Sequence, residues 1–200
     1  MAQARCVLGF APHSGWAAVV ALGGTVQAPA VLLRERVEMA DAALAGSKQP
    51  YHALEGRPLS EAQRMLRQFQ ASAVALALAG LRSAIGRVCA AGPRPASAAI
   101  LDSAGRSAAT LEAILASHTL IHTADGEHFR AALADACREL GLAVVRVPAR
   151  ELPQRAAAVL AKPERELLAA VAQLGRRLGP PWGADQKSAA LLAWVLLAGG

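Results

Sequence analysis

"VLGFAPHSGWAAVVAL", residues 7–22, reads as two apolar strands on either side of a five-residue bend. Val, Leu, Phe and Trp are β-formers, and Ala11-Pro12-His13-Ser14-Gly15 supplies the proline, the glycine and the polar groups of a tight turn. The pattern predicts a hairpin with strands over 5–11 and 16–22. The functional question it raises is whether the bend holds chemistry or only turns the chain.

Beyond Gly23-Gly24, Val31, Leu33, Glu35, Val37 and Met39 alternate with Leu32, Arg34, Arg36 and Glu38, which predicts a third strand over 30–38 with one mostly apolar face. The segment 42–58, "AALAGSKQPYHALEGRP", reads as a loop or broken helix. A long helix is expected from Leu59 to about Gly86, with Ser60 as its N-cap and Gly86 as its stop. Its second half is apolar all round and should be covered by other elements. "AAILDS", 98–103, predicts a fourth strand and 107–117 a helix. "HTLIHT", 118–123, fits either a strand or a continuing helix, and Gly126 after Asp125 favours a helix start there with Asp125 as N-cap. "LAVVRVP", 142–148, is a buried strand, and helices are expected over 151–161, 164–178 and 185–198. Three strands joined by short connections, then strands alternating with helices, predict an α/β fold: a mixed sheet with helices on both faces, as one domain over 1–200.

Composition narrows the function classes without choosing among them. A net charge of +6, from 21 Lys+Arg against 15 Asp+Glu, favours phosphate backbones or acidic partners, although an Ala- and Arg-rich composition can also arise from GC-rich coding. Cys6, Cys89 and Cys137 are too scattered for a disulfide framework or a CxxC metal site, and read as small hydrophobes in a reducing compartment. The start, MAQARC, lacks a basic region followed by an apolar signal core, which predicts a cytoplasmic protein. The apolar stretches 71–81 and 188–200 fall short of the roughly 20 residues of a membrane span, so no membrane association is expected. The third strand and the terminal helix could each support a homodimer.

The element order, the opening strand with its Gly9 and Pro12, "LAVVRVPARELPQRAA" at 142–157 and "GADQKSAALLAWVLLA" at 183–198 together resemble the ribonuclease H-like superfamily, in its RuvC-like Holliday-junction resolvase branch. That resemblance implies acidic residues at one end of the sheet holding two Mg²⁺ or Mn²⁺ ions for phosphodiester hydrolysis. Carried over by position, the opening acid falls on Ala11 and a closing acid on Ser188, so two of four expected acids are missing. Asp102 stands at or next to the fourth-strand acid, and Asp185 matches the first acid of the closing helix. The expectation is a non-catalytic nucleic-acid-binding or assembly module. The alternatives are a divergent nuclease in which Asp102, Asp185 and His13 hold one metal, and a protein-interaction domain without a nucleic-acid role.

Other residues carry possible chemistry. His13, in the bend, could bind a metal or act as a base near neutral pH. Lys48, Tyr51 and His52 could form a recognition loop, or Tyr51 could simply anchor it. Arg106, within "DSAGRS" at 102–107, sits where backbone N–H groups between a strand and a helix could receive a phosphate. His118, His122 and Asp125 would share a face of one continuous helix, with His128 one turn beyond, and could bind a transition metal; on a strand the first two would stand roughly 13 Å apart.

Overall fold

The computed structural model describes residues 6–90, 92–103, 109–176 and 178–199. Five strands form one mixed sheet in the order β3-β2-β1-β4-β5. Strands β1 (Cys6–His13), β2 (Trp16–Gly24) and β3 (Pro29–Glu38) form the antiparallel meander, while β4 (Pro95–Asp102) and β5 (Ala143–Pro148) run parallel to β1. The strongest pattern in the sequence therefore builds the sheet centre. Gly15, at φ +86°, supplies the left-handed turn between β1 and β2.

Period-two alternation assigns each strand residue to a face. Leu8, Phe10, Val19, Ala21, Ala98 and Ile100 belong to one core, with helices α1 (Leu59–Ala90) and α3 (His118–Glu139). Val7, Ala11, Ala18, Val20, Leu22, Ala99 and Val147 belong to the other, with α4 (Leu152–Leu160), α5 (Glu164–Leu174) and α6 (Ala184–Leu197). A short helix, α2 (Leu111–Leu115), precedes α3 and is capped by Thr110, whose Oγ1 accepts from the Ala113 N–H.

α6 lies directly on the sheet because Gly9 of β1 has no side chain. A Cβ built there would stand 2.0 Å from the Ala189 carbonyl oxygen and 2.9 Å from the Ala193 nitrogen. At the other end of α6, the Trp194 indole N–H donates to the Val26 carbonyl at 2.8 Å.

Several expectations are corrected. In β3 a register shift opposite Ala21 and Leu22 pairs Leu22 with Val31 but Ala21 with Leu33. The extra residue turns Val31 toward α6, whereas Leu33 and Val37 face α1, so the predicted single face is split. α1 does not stop at Gly86, and Ser60 lies inside it. Only one stripe of α1 is buried: Ala62, Phe69, Ala73, Ala77, Leu78, Leu81, Ala84 and Val88. Ala71, Ala75 and Ala79 face outward, since an alanine leaves little apolar area uncovered. The 71–81 stretch is therefore part of a 32-residue helix that is long and apolar enough, by length and composition, to cross a membrane; a third of its most apolar window is buried in the fold. α3 is continuous through Gly126, so Asp125 is a helix-interior residue and not a cap. α5 ends at Leu174, ahead of the expected 178, where the Trp182 ring lies against the backbone of Gly175.

Cys6 and Cys137 are fully buried, and burial pushes their thiols up to about 11 and about 12 respectively, so they pack as inert hydrophobes. Cys89 is half-buried.

Candidate functional site

The C-terminal ends of β1, β4 and β5 meet at one end of the sheet, where His13 and Asp185 pair and Asp102 has separate partners. His13 ends β1, and its Nε2 lies 2.9 Å from Oδ1 of Asp185 in the first turn of α6. Both are partly exposed. The His13 ring stacks on Trp16, the facing residue across the hairpin, at 4.4 Å between centroids and 13° between planes. The Arg36 guanidinium stands 4.2 Å from the Trp16 ring centroid. Trp16, Arg36 and Arg34 border an open cleft of about 320 Å³ with Pro181 and Gln186. Arg34 is itself structural there: its Nη1 donates to the carbonyls of Gly179 and Pro181 at 2.8 and 2.7 Å.

Asp102 belongs to the other face. Phe10 pairs with Ile100 across the parallel β1–β4 ladder, so the residue level with Ala11 is Leu101, and Leu101 packs with Ala11 in the α6 core. Asp102, one residue on, turns toward α3. Its Oδ1 accepts from Arg146 Nη2 and from the Ser103 N–H, each at 2.8 Å, and Arg130 Nε of α3 lies 3.9 Å away. Arg146 also donates to both oxygens of Glu127 at 2.7 and 2.5 Å. The hydrogen bonds to Glu127, then those to Asp102, hold the Arg146 guanidinium well above its usual range against the opposing effect of burial. Burial pushes Arg130 down, opposed by Asp102 and Glu127. The charge of Asp102 is thus met by two arginines.

An Mg²⁺ centre needs several oxygen ligands converging on one ion. Ala11 offers a methyl group and is buried, Asp102 is engaged by Arg146 on the α3 face, and Asp185 is engaged by His13 on the α6 face. These residues do not fit a two-metal centre. Lack of convergence was not legible in the residue types. It comes from a one-residue phase at the end of β4.

The 42–58 segment folds over the same end of the sheet. Gly15 O accepts from the N–H groups of Met39 and Ala40, and Lys48 lies beside Gly15. Farther along, Asp125, which is 3% exposed, accepts from the Tyr51 N–H at 2.7 Å and from His52 Nδ1 at 2.5 Å. Tyr51 packs in a small cluster with Ile114, Ile121 and Ala124, and burial, then Asp125 and Glu127, raise its hydroxyl. Tyr51 is therefore an anchor, and the carboxylate expected to cap a helix instead ties this loop to α3. Arg106 and the centre of the "DSAGRS" loop lie outside the described residues.

His128 stands apart from the other histidines. It is 5% exposed, edge-on to Tyr51 and Phe129, and burial pushes it down to about 4. Its folded pKa lies below the ordinary 6.5, so the unfolded chain binds the extra proton between those values. Stability is fully present above about 6.5 and is lost as pH falls toward 4, by about 3 kcal/mol for this group. Urea unfolding between pH 7 and 4 should show this loss, and His128→Leu should flatten it; an unchanged pH slope in His128→Leu would refute the assignment.

No family model matches the sequence, and no curated protein matches it. Solved structures do match. Thermus thermophilus RuvC in complex with a Holliday junction substrate superposes with a TM-score of 0.53 at 15% identity, covering 96% of this chain and 91% of that one. A second Thermus thermophilus RuvC structure gives 0.52 at 14%, covering 96% and 92%. The fold is RuvC-like. The resemblance read from the opening strand, the late strand and the closing helix is therefore correct at the level of architecture, as is the mixed α/β sheet. In this RuvC-like fold the first strand and the closing helix are in contact, and that contact brings together His13 and Asp185.

Proposed function

We propose that this chain is a non-catalytic RuvC-like module that binds branched or structured nucleic acid through the His13–Trp16–Arg36 end of its sheet. The observation that carries the reading is the RuvC-like fold over nearly the whole chain, since one of the RuvC structures it resembles is bound to a Holliday junction substrate. The chemistry at the same end supports it. Trp16 carries the stacked His13 ring and the Arg36 guanidinium, and the partly exposed His and Arg it holds are a set suited to meeting bases and phosphates, while Lys48 adds a cation next to the hairpin. Ala11 in place of an acid, and Asp102 neutralised by arginine on the far face of the sheet, favour binding over hydrolysis.

The test is binding to four-way-junction, duplex and single-stranded DNA across a salt series, with cleavage followed in Mg²⁺ and Mn²⁺. Binding should weaken steeply with salt. Trp16→Ala, which removes the ring that holds His13 and Arg36, should reduce affinity about 5- to 150-fold, the range of about 1–3 kcal/mol expected for a lost stacking contact. Absence of salt-dependent binding to any of these would overturn the reading in favour of a protein-interaction domain. Metal-dependent cleavage abolished by Asp102→Asn/Asp185→Asn would replace it with the divergent nuclease.

A further inference from the structure

Three of the five histidines converge on one point outside the RuvC-like site. His118 and His122 stand one turn apart at the start of α3, and His52 reaches them from the 42–58 segment. One ring nitrogen from each lies within 4.8 Å of the others, the single such group of three His, Cys, Asp or Glu side chains among the described residues. The Nε2 atoms of His118 and His122 face each other at 3.0 Å. The rings meet edge to face, with centroids 4.5 to 5.5 Å apart.

We propose that His52, His118 and His122 form a binding site for a transition-metal ion of the Zn²⁺ class. A tetrahedral ion with metal–nitrogen bonds of about 2.0–2.1 Å holds its ligand nitrogens about 3.3 Å apart. The His118 and His122 nitrogens at 3.0 Å are close to that value and the His52 nitrogen lies within 4.8 Å of both, so the adjustment needed is a small rotation of two exposed imidazoles. Two ring nitrogens pointing at each other across 3.0 Å also need something between their lone pairs: one proton, or an ion. Imidazole donors favour Zn²⁺, Co²⁺, Ni²⁺ or Cu²⁺ over the hard Mg²⁺.

The independent observation is the carboxylate behind His52. Asp125 accepts from His52 Nδ1 at 2.5 Å, which fixes the proton on Nδ1 and leaves Nε2 with its lone pair as the coordinating atom. A buried carboxylate orienting an imidazole in this way is the usual outer partner of a metal-bound histidine. Glu55 Oε1 lies 3.9 Å from His118 Nδ1 and stands ready to orient a second ligand in the same sense. With three protein ligands and His118 71% exposed, the fourth position opens to solvent. The ion would clamp the 42–58 segment to α3. Glu127 of α3 reaches the Arg146–Asp102 cluster at the end of the sheet, and His122 and His118 lie about 8 and 14 Å farther along the helix toward its N-terminus. The site therefore overhangs the same end of the molecule as the proposed nucleic-acid surface.

The decisive experiment is calorimetric titration of the untagged, chelator-stripped chain with Zn²⁺, accompanied by Co²⁺ absorption spectroscopy. Expected are one ion per chain at micromolar affinity or tighter and the visible bands of tetrahedral Co²⁺. His118→Ala and His122→Ala, both at exposed positions that the fold tolerates, should each weaken binding at least 100-fold. Asp125→Asn should weaken it about 10- to 100-fold as a positioning residue. Asp102→Asn/Asp185→Asn should leave it unchanged. Zn²⁺ affinity no better than millimolar, or equal in His122→Ala and the parent, would overturn the proposal. Neither result bears on DNA binding by the His13–Trp16–Arg36 surface, which the salt series tests separately.

Discussion

Arg146→Met should unfold in urea at a stability about 3–5 kcal/mol below that of the parent at neutral pH, one of the two largest losses expected for a single substitution in this chain. The Arg146 side chain is 11% exposed and bridges Asp102, at 13%, and Glu127, at 27%. Three short hydrogen bonds join them. Methionine fills much of the same volume, so the loss isolates charge from packing. It leaves the two carboxylates without the guanidinium that bridges them, while Arg130 stays 3.9 Å from Asp102 and the Ser103 N–H still donates to it. Neutralising both, in Arg146→Met/Asp102→Asn/Glu127→Gln, should recover at least half of the loss, because the cost lies in unpaired charge. A loss under about 1 kcal/mol for Arg146→Met would mean that solvent screens the cluster, as at an ordinary surface pair. It would also remove the main reason for regarding Asp102 as a structural carboxylate.

That cluster shows where sequence reading stops. The hairpin, the meander and the alternation of later strands and helices were legible because each arises from a local period: two for β1 and β2, close to 3.6 for α1 and α3. Asp102 was legible as a carboxylate at the end of β4, but its direction was not. A strand alternates faces at every residue, so an uncertainty of one position between Leu101 and Asp102 reverses the answer. The split face of β3 has the same origin, because nothing in "VLLRERV" marks the bulge between Val31 and Leu33.

The histidines illustrate a different limit. His118 and His122 were visible as a helical pair, and His52 as part of a polar loop, yet only the fold joins them. The available signal was Asp125. A carboxylate in the middle of a helix, on the same side as Ile121 and Ala124, is buried and must have partners; Tyr51 N–H and His52 Nδ1 are those partners. As an N-cap, Asp125 would need no such partners, which is why the sequence alone hides the link.

Gly9→Ala should destabilise the chain by about 3 kcal/mol or more, at the upper end of what overpacking costs, because the atoms it meets cannot swing aside. The obstruction is backbone: the new Cβ would sit 2.0 Å from the carbonyl oxygen of Ala189 and 2.9 Å from the nitrogen of Ala193. Relief requires α6 to lift off β1, and that helix carries Asp185 at its start and a large share of one core along its length. The substitution should therefore separate the His13–Asp185 pair as well as lower stability, and weaken nucleic-acid binding at protein concentrations where the variant is still folded. Gly86→Ala is the matching control. A Cβ there meets nothing within 4 Å, and Gly86 lies in the interior of α1, so the change should stabilise by about 0.5–1 kcal/mol. Opposite signs for the two variants, read from the same urea series, would distinguish a glycine required by the approach of a helix from one that the helix merely tolerates. A Gly9→Ala variant as stable as the parent would mean that α6 does not sit this close to β1, and the His13–Asp185 contact would fall with it.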